Sequence, residues 1–463
     1  MKRQRIGHSM ALASIMFIVG GFGPAAAQDA GAQDDEAGGT TLTFGVRSEL
    51  SVSDNYNLSV VAPGTSTILD TTLSFGYLAV TATDRFAFDI DGVLRAADIP
   101  GAGSDLRFDD TTAALSYTRE GANSRFSATA DHNRVNLDFL DPFARADLNK
   151  ANLTNSSGIV ANTNARVKLE TGLNGPLGFD IELGHRATGY SNTTDPTLFD
   201  STTNDVALTT RLRLSPVAEA RVRLSQEDYT ANDLVNTDRT TRALSFGVTY
   251  ELSPATTLDA SVGTKTIDTV GAGTSRGAFG TVSATRALAN GSAGLILDRS
   301  FGIDGGRTTL TAKRDMILPS GTLAFSLGAT KGAQSGTALI GSVAYLQNLP
   351  RGDLTASLQR RVESDASGND ILTTAAALGY THALTPVSDL SFDFDYSAVE
   401  NVGSGTASNS NRSSLRAAYS HALTPDWDLS AGYEHQRLST GGAGAANSNT
   451  IFMALGREFS IRR

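Results

Sequence analysis

Histidine, serine and the acidic residues are the side chains whose spacing bears on catalysis here, and the sequence contains no cysteine. Thiol nucleophiles, thiolate metal sites and disulfides are therefore excluded. Of the six histidines, His132 and His435 lie near expected strand ends, where some enzymes hold a catalytic group. No motif places a serine nucleophile or a pair of carboxylates with either histidine. The sequence thus predicts a protein that is not an enzyme and uses no cofactor.

Asp89 and Asp91 are the acidic pair closest to a metal-binding pattern. The segment Asp89-Ile-Asp-Gly is similar to part of a calcium loop, but position 87 is Ala and no Glu follows at the loop's end. Side chains two residues apart project from the same face of a strand. We therefore interpret both carboxylates as polar positions of a strand and predict no metal site.

Composition points to strands and turns. The 463 residues include 46 Gly and 12 Pro, and 40% are hydrophobic. After the first thirty residues, no uncharged apolar run is long enough for a membrane-spanning helix. Thr, Ser, Asn and Asp crowd the segments between short alternating runs. A membrane barrel is compatible with this composition, since only every second residue of its strands must be apolar.

The first 27 residues have the organisation of a secretory signal peptide. A basic start precedes an apolar stretch, and Ala25 and Ala27 are the small residues that a signal peptidase reads. The alternative is a membrane anchor, although the apolar stretch is short and rich in glycine. Residues 28–39 form a short acidic tail that we expect to be disordered and too short for a plug domain.

Net charge disfavours nucleic acid as a partner. The whole chain carries a net charge of −10, and removal of the signal peptide leaves 35 basic against 48 acidic residues, a net charge of −13. A nucleic-acid-binding protein needs a basic surface.

From residue 40 to residue 463, apolar and polar residues alternate with a period of two. Leu42, Phe44 and Val46 alternate with polar residues, and similar runs follow along the chain. Each run gives a strand one apolar and one polar face. Charged residues occupy the polar face deep inside the strands, so we expect them to line a lumen: Arg47, Glu49, Asp89, Asp91, Arg166, Lys168, Arg211, Arg213, Arg221 and Arg223.

The connections distinguish a membrane barrel from a soluble sandwich, which alternation alone does not. Ten tight turns alternate with longer Gly-, Asn-, Asp- and Ser-rich segments. Short periplasmic turns and longer outer loops are typical of outer-membrane barrels. We predict an all-β, closed antiparallel transmembrane barrel of about 22 strands, a count that is accurate to within two strands. The outer loops include residues 55–64, 98–107, 134–158, 191–201, 401–410 and 439–449.

Tyrosines are placed as in an interfacial girdle. Tyr250, Tyr345, Tyr380 and Tyr419 have apolar parity and precede a turn proline by four to six residues. An amphipathic ring at this height has its hydroxyl among the headgroups. The segment beginning at Tyr380 recurs 39 residues later, which indicates a reused strand-turn-strand unit.

The last strand resembles the C-terminal signal by which the barrel-assembly machinery recognises outer-membrane barrels. Gly456, Phe459 and Ile461 carry the resemblance. The sequence departs from the signal by having Ile461 where an aromatic residue is usual and two arginines after it. The resemblance implies the barrel-assembly machinery and outer-membrane lipid as partners and the outer membrane as the location.

The turns add a family resemblance over most of the mature chain. Leu-Thr-Pro turns followed by Asp-Leu-Ser, with Asp54 and Asn55 closing the first strand, resemble the β-barrel porin type 2 family. Members of that family are often linked to surface polysaccharide. The resemblance implies a barrel of the same kind, with hydrophilic solutes or polysaccharide as its cargo.

Twenty-two strands close into a barrel roughly 40 Å across, which side chains cannot fill. Energy-coupled transporters of this size carry an N-terminal plug, which the short tail here disfavours. We expect a channel for passive or gated passage of hydrophilic solutes; the alternative is a non-conducting scaffold of an exopolysaccharide system. The sequence does not indicate ion selectivity or oligomeric state. The longest loop either folds inward as a constriction or stacks outside; its candidate residues are Leu137, Phe139, Asp141, Phe143, Arg145 and Lys150.

Overall fold

The period-two pattern forms a single sheet of 22 antiparallel strands. The computed structural model describes residues 38–101, 103–137, 158–196, 198–333, 336–364, 370–401, 409–441 and 444–462. Ala25 and Ala27, the predicted cleavage residues, lie outside the described residues. The strands are β1 (Gly39–Ser53), β2 (Ser66–Val80), β3 (Asp84–Ile99), β4 (Gly103–Glu120), β5 (Ser124–Asn136), β6 (Ile159–Thr171), β7 (Leu177–Ser191), β8 (Ser201–Ser215), β9 (Ala218–Ala231), β10 (Asp238–Ser253), β11 (Thr256–Thr269), β12 (Gly273–Leu288), β13 (Gly291–Gly302), β14 (Gly305–Leu318), β15 (Gly321–Lys331), β16 (Thr337–Leu349), β17 (Gly352–Ser364), β18 (Asp370–Thr385), β19 (Ser388–Asn401), β20 (Ser410–Ala422), β21 (Trp427–Thr440) and β22 (Gly444–Arg462).

The sheet closes on itself. Each strand pairs with its sequence neighbour, and β22 pairs with β1 from Thr41↔Arg462 to Ser53↔Thr450. Both ends of the sheet therefore lie at the same rim. The predicted all-β, closed antiparallel barrel with 22 strands is confirmed.

Closure gives the sheet an apolar exterior. Directly paired residues share a face, so Phe44, Phe75 and Ile90 lie on one side of β1–β3. This side carries the exposed large hydrophobic residues, including Val46, Leu73 and Leu94. A closed barrel satisfies its backbone internally, and a mainly apolar exterior suits contact with lipid.

Among the described residues, no helix is both long enough and apolar enough to cross a membrane.

The residues of the C-terminal signal lie in the closing seam. Phe459 stacks on Phe44 of β1 with ring centroids 5.3 Å apart, and Ile461 is paired with Leu42. At the outer end of the seam, Asn449 donates its backbone and side-chain N–H groups to the carboxylate of Asp54, at 2.8 and 2.6 Å. The seam thus has an apolar contact near one rim and a polar clasp at the other.

Several periplasmic turns share one construction. In the turns at Pro216, Pro254 and Pro386, the Ser or Thr before the proline accepts a hydrogen bond from the backbone N–H two residues on. A β-bulge precedes each of these turns. A hydroxyl that mimics a backbone acceptor stabilises a tight turn, which explains why the same short sequence recurs at this rim.

Two predicted outer loops prove to be mostly strand. The sequence predicted loops at 98–107 and 439–449, but β3 continues to Ile99 and β4 begins at Gly103, while β22 begins at Gly444. The β3–β4 ladder persists through Asp98↔Ser104. Outer connections as short as residues 303–304 also occur. Alternation of short and long connections is therefore less strict than predicted, because the β3–β4 and β21–β22 ladders continue into segments predicted as loops.

We predict that the clasp at Asp54 stabilises the seam in a pH-dependent way. Hydrogen bonds from Asn449 lower the pKa of Asp54 below its ordinary value. The contribution is therefore complete above the ordinary pKa of an aspartate and is lost as the pH falls through the lowered pKa of the folded barrel. Asp54→Ala should lower the free energy of unfolding by about 0.5 kcal/mol at pH 7, since the pair is exposed. Urea unfolding at pH 7 and pH 3 measures both effects.

Glu120→Ala is the control, because Glu120 forms an exposed ion pair with Arg125 at the opposite rim. Its substitution should change stability little. An Asp54→Ala effect that stays the same at pH 3 would show that the carboxylate charge is not responsible.

Candidate functional site

The lumenal face is the candidate functional site. The register places all ten predicted lumen-lining residues on the face opposite the apolar exterior. Arg47 and Glu49 lie on β1, Asp89 and Asp91 on β3, Arg166 and Lys168 on β6, Arg211 and Arg213 on β8, and Arg221 and Arg223 on β9.

Ion pairs join many of these residues into a belt on β6–β11. Arg211 binds Asp180 at 2.7 Å, Arg223 binds Glu182 at 2.9 Å, and Lys168 binds Glu170 at 2.9 Å. These residues lie toward the periplasmic ends of their strands. Paired charges on a wet wall make a polar lining without a large net field.

Two arginines, Arg221 and Arg47, reach across an intervening strand over a glycine. Arg221 of β9 lies above Gly247 of β10 and binds Asp259 of β11 at 2.6 Å. A Cβ atom on Gly247 would stand 2.7 Å from Nε of Arg221, so a larger residue there would displace the guanidinium. These arginines therefore extend along the wall rather than into the lumen.

The same arrangement joins the seam. Arg47 of β1 binds Asp428 of β21 at 3.1 Å, and the carboxylate of Asp428 covers Gly456 of β22. Gly456, part of the C-terminal signal, is thus also the residue that gives this ion pair room.

One part of the wall is acidic. On the lumenal positions of β19–β22 and β1–β3 that the structure describes, ten acidic side chains face six basic ones. The acidic residues are Glu49, Asp70, Asp89, Asp91, Asp389, Asp393, Asp395, Asp428, Glu434 and Glu458; the basic residues are Arg47, Arg85, Arg95, Arg412, Arg416 and Arg462. By contrast, the described lumenal positions of β12, β15, β16 and β18 carry no charged residue. The lumen is electrostatically asymmetric.

Arg95 is the centre of a buried cluster in the outer half of the wall. Its guanidinium binds Asp70 through two hydrogen bonds of 2.7 and 2.9 Å and pairs with Asp110 at 2.8 Å. Asp110 lies at a β-bulge between β3 and β4 and has a positive φ of 49°. The bulge directs the Asp110 carboxylate toward Arg95, a placement that strict alternation does not predict.

Apolar patches cover the lumenal face near the outer mouth, where the β1–β2 loop folds inward. Leu58 of this loop is buried in a cluster on the lumenal face of β18–β22. Tyr56, two residues earlier, packs against the lumenal face of β2 and β3. The loop therefore lies along the inside of the mouth and is held at two points. The Leu58 cluster contains Ile371, Val399, Leu438 and Ala446.

The longest loop, between β5 and β6, is described only at its ends. Leu137 is buried against Val160 and against Leu198 of the β7–β8 loop, with Tyr190 packed beside them. Val160 and Tyr190 have lumenal parity, so the loop leaves β5 along the inner wall. The other candidate constriction residues, Phe139, Asp141, Phe143, Arg145 and Lys150, lie outside the described residues.

Both histidines considered for catalysis lie on the exterior face near the outer rim. Nδ1 of His132 is 2.8 Å from the hydroxyl of Thr163, and Nδ1 of His435 is 2.9 Å from Oδ1 of Asn449. Each histidine therefore makes a side-chain contact with the neighbouring strand, which accounts for its position. Within the described part of the chain, no three His, Asp or Glu residues are grouped to hold a metal ion.

The sequence analysis missed the apolar mouth. Ile68, Val160, Ile371, Val399 and Leu438 all have lumenal parity. Apolar residues on the polar parity at a strand's outer end are the signal that would have indicated loops packed inside the barrel.

Comparisons with known proteins agree with this fold. No protein-family profile and no curated protein matches the sequence. The FrpB iron transporter from Neisseria meningitidis matches with a TM-score of 0.58 at 7% identity, over 90% of this chain and 81% of that chain. The ferric-catecholate import receptor Fiu from E. coli matches with a TM-score of 0.55 at 11% identity, over 90% and 81%. The siderophore receptor PirA from Pseudomonas aeruginosa gives 0.52 at 9%, over 91% and 80%.

At these identities the similarity establishes the fold alone. The resemblance to the β-barrel porin type 2 family has no counterpart among these matches. The closed sheet and its apolar exterior, together with this similarity, show that the protein is a 22-stranded β-barrel of the outer membrane, as predicted.

Proposed function

We propose that the protein forms a water-filled channel for hydrophilic solutes, with passage gated by the β1–β2 loop. The observation that carries the proposal is the lumenal face, which bears ion pairs and hydroxyl groups around a barrel roughly 40 Å across. A charged wall is stable only when water wets it. The matched structures are described as receptors and an iron transporter, which supports solute passage as the role.

The inward-folded loops also support a second candidate, a non-conducting barrel that serves as a scaffold in a surface-assembly system. The resemblance of the turns is what connects this candidate with exopolysaccharide. Recognition of Gly456, Phe459 and Ile461 by the barrel-assembly machinery belongs to both proposals.

Single-channel conductance in a planar bilayer tests the channel directly. The refolded barrel should give discrete, stable current steps. Correctly folded barrel, verified by circular dichroism and by its heat-modifiable gel mobility, that carries no current would overturn the channel and favour the scaffold.

We predict that Leu58→Asp widens the path for ions past the β1–β2 loop at the outer mouth. A carboxylate in the buried cluster with Ile371 and Val399 is unfavourable, so the loop should leave the wall. Mean conductance or open probability should rise by about half or more, an order-of-magnitude expectation from releasing one loop. Val61→Asp is the matched control, because Val61 lies in the same loop and is 84% exposed.

Equal currents from wild type, Leu58→Asp and Val61→Asp would show that this loop does not limit flow. Deletion of residues 138–157 then tests the predicted constriction by the β5–β6 loop. Unchanged conductance after that deletion would exclude it as well.

We predict a preference for cations, because acidic side chains outnumber basic ones on the wall from β19 to β3. The double variant Asp393→Asn/Asp395→Asn should lower the permeability ratio of K⁺ to Cl⁻ by about twofold. The reversal potential in a KCl gradient measures this ratio. Asp228→Asn makes the same change on the exterior face and should leave the ratio unchanged. A wild-type preference for anions would contradict the prediction.

A further inference from the structure

Two phenylalanine rings line the outer half of the lumen on β11–β13. Phe279 of β12 is paired with Gly263 of β11, and a Cβ atom on that glycine would stand 2.7 Å from the ring. Phe301 of β13 has exterior parity in the β13–β14 ladder, but the β12–β13 ladder ends at Gly280↔Arg299. Beyond that point the Phe301 ring leans over Gly277 of β12, where an added Cβ would overlap it. Each ring therefore covers a glycine on the lumenal wall. Both side chains are only partly buried, so they remain accessible from the lumen.

A lysine lies between the two rings. Lys265 of β11 is paired with Gly277, the glycine that the Phe301 ring covers. Its Nζ atom is 5.6 Å from the centroid of the Phe279 ring. Within the described part of the chain, the Lys265 ammonium makes no ion pair of 4.0 Å or less, unlike Arg221 and Arg223 nearby. Gly263 and Gly277 are diagonal neighbours in the β11–β12 ladder, so the two glycines that the rings cover are roughly 8 Å apart.

The lumenal wall beside the rings is lined by small side chains. Moving from Lys265 away from Phe301, the next lumenal residues are Ala243, Ser225 and Ala207. In the adjacent row, Gly263 is followed by Ser245 and then by Arg223, which is paired with Glu182. These small residues leave a shallow groove about three strands, or roughly 14 Å, wide. The rings close one edge of this groove, and the Arg223–Glu182 pair closes the other.

Resting on the proposed channel, we propose that Phe279, Phe301 and Lys265 form a binding subsite for a six-membered ring bearing a carboxylate. The ring face of the solute stacks on the phenyl rings, and its carboxylate pairs with the Lys265 ammonium. The hydroxyls of Ser225 and Ser245 offer hydrogen bonds along the floor. A cluster of apolar surface with a few convergent polar groups is the usual composition of a small-molecule site. Sugar acids and aromatic acids share this chemistry.

Saturation-transfer NMR on the folded barrel in detergent micelles tests the subsite without any ion flow. The probes form two matched pairs, glucuronate with glucose and benzoate with benzyl alcohol, and acetate is the ringless anion. At least one anionic ring should bind at least fivefold more tightly than acetate and than its own neutral partner. The pair that shows this preference identifies the source as a sugar acid or an aromatic acid.

The variants assign the roles. Phe279→Ala and Phe301→Ala should each weaken binding of the anionic ring at least fivefold. Lys265→Gln should remove the preference over the neutral partner. Lys313→Gln is the control, because Lys313 has lumenal parity on β14, away from the rings, and should bind like wild type. Circular dichroism confirms that each variant is folded.

Acetate binding as tight as either anionic ring, or ring variants that bind like wild type, would overturn the subsite and leave the phenyl rings as covers for the glycines. Because binding is measured without current, a barrel that binds but does not conduct retains the subsite and refutes the channel. A barrel that conducts but binds no ring retains the channel and refutes the subsite.

Discussion

The pairing of β1 with β22 is the constraint on which the rest of the structure depends. In lipid, an unpaired strand edge leaves backbone N–H and C=O groups without partners, at a cost of several kcal/mol each. The ladder from Thr41↔Arg462 to Ser53↔Thr450 removes both edges. Closure also fixes which parity faces lipid on every strand, because a slip of one residue would exchange the two faces. The seam places Phe459 against Phe44 outside and Asp428 against Arg47 inside, so both faces support one register.

A barrel of 22 strands encloses a space that side chains cannot fill. Glycines on the lumenal face determine how the longer side chains pack along the wall. Arg221 crosses Gly247, Asp428 covers Gly456, and Arg416 stacks at 4.0 Å on Phe452, whose ring covers Gly432. A Cβ on any of these glycines would push the longer side chain toward the barrel axis. The glycines therefore let long polar and aromatic side chains lie along the wall. Ion pairs are satisfied between strands, and the centre of the lumen remains wide.

The sequence predicts those features that depend on residues close together in the chain. Alternation and turn residues are local, and they gave the closed barrel, its 22 strands and the parity of Arg211 and Arg221. Local reasoning fails at the outer ends of the strands. The Gly, Asp and Ser residues of segment 98–107 predicted a loop, but Asp98 pairs with Ser104 in the β3–β4 ladder. Leu58 meets Ile371 and Val399, which are more than 300 residues away in the chain. Only the closed barrel brings such partners together, so the packed mouth could not be predicted.

The physical contrast between mouth and wall bears on whether passage is passive or gated. The β1–β2 loop is attached by apolar contacts of Tyr56 and Leu58 and by the side-chain amide of Asn55, which donates to the backbone oxygen of Asn447. Burial of a leucine side chain contributes about 1.5–3 kcal/mol. An energy gap of that size leaves a released loop populated at roughly 1–10%, a minor state that a solute or partner with differential affinity can select. Ion pairs in the wall below do not need to rearrange for this change. In the proposed channel, the mouth is therefore the movable part of the barrel, and the charged wall is the fixed part that would select solutes.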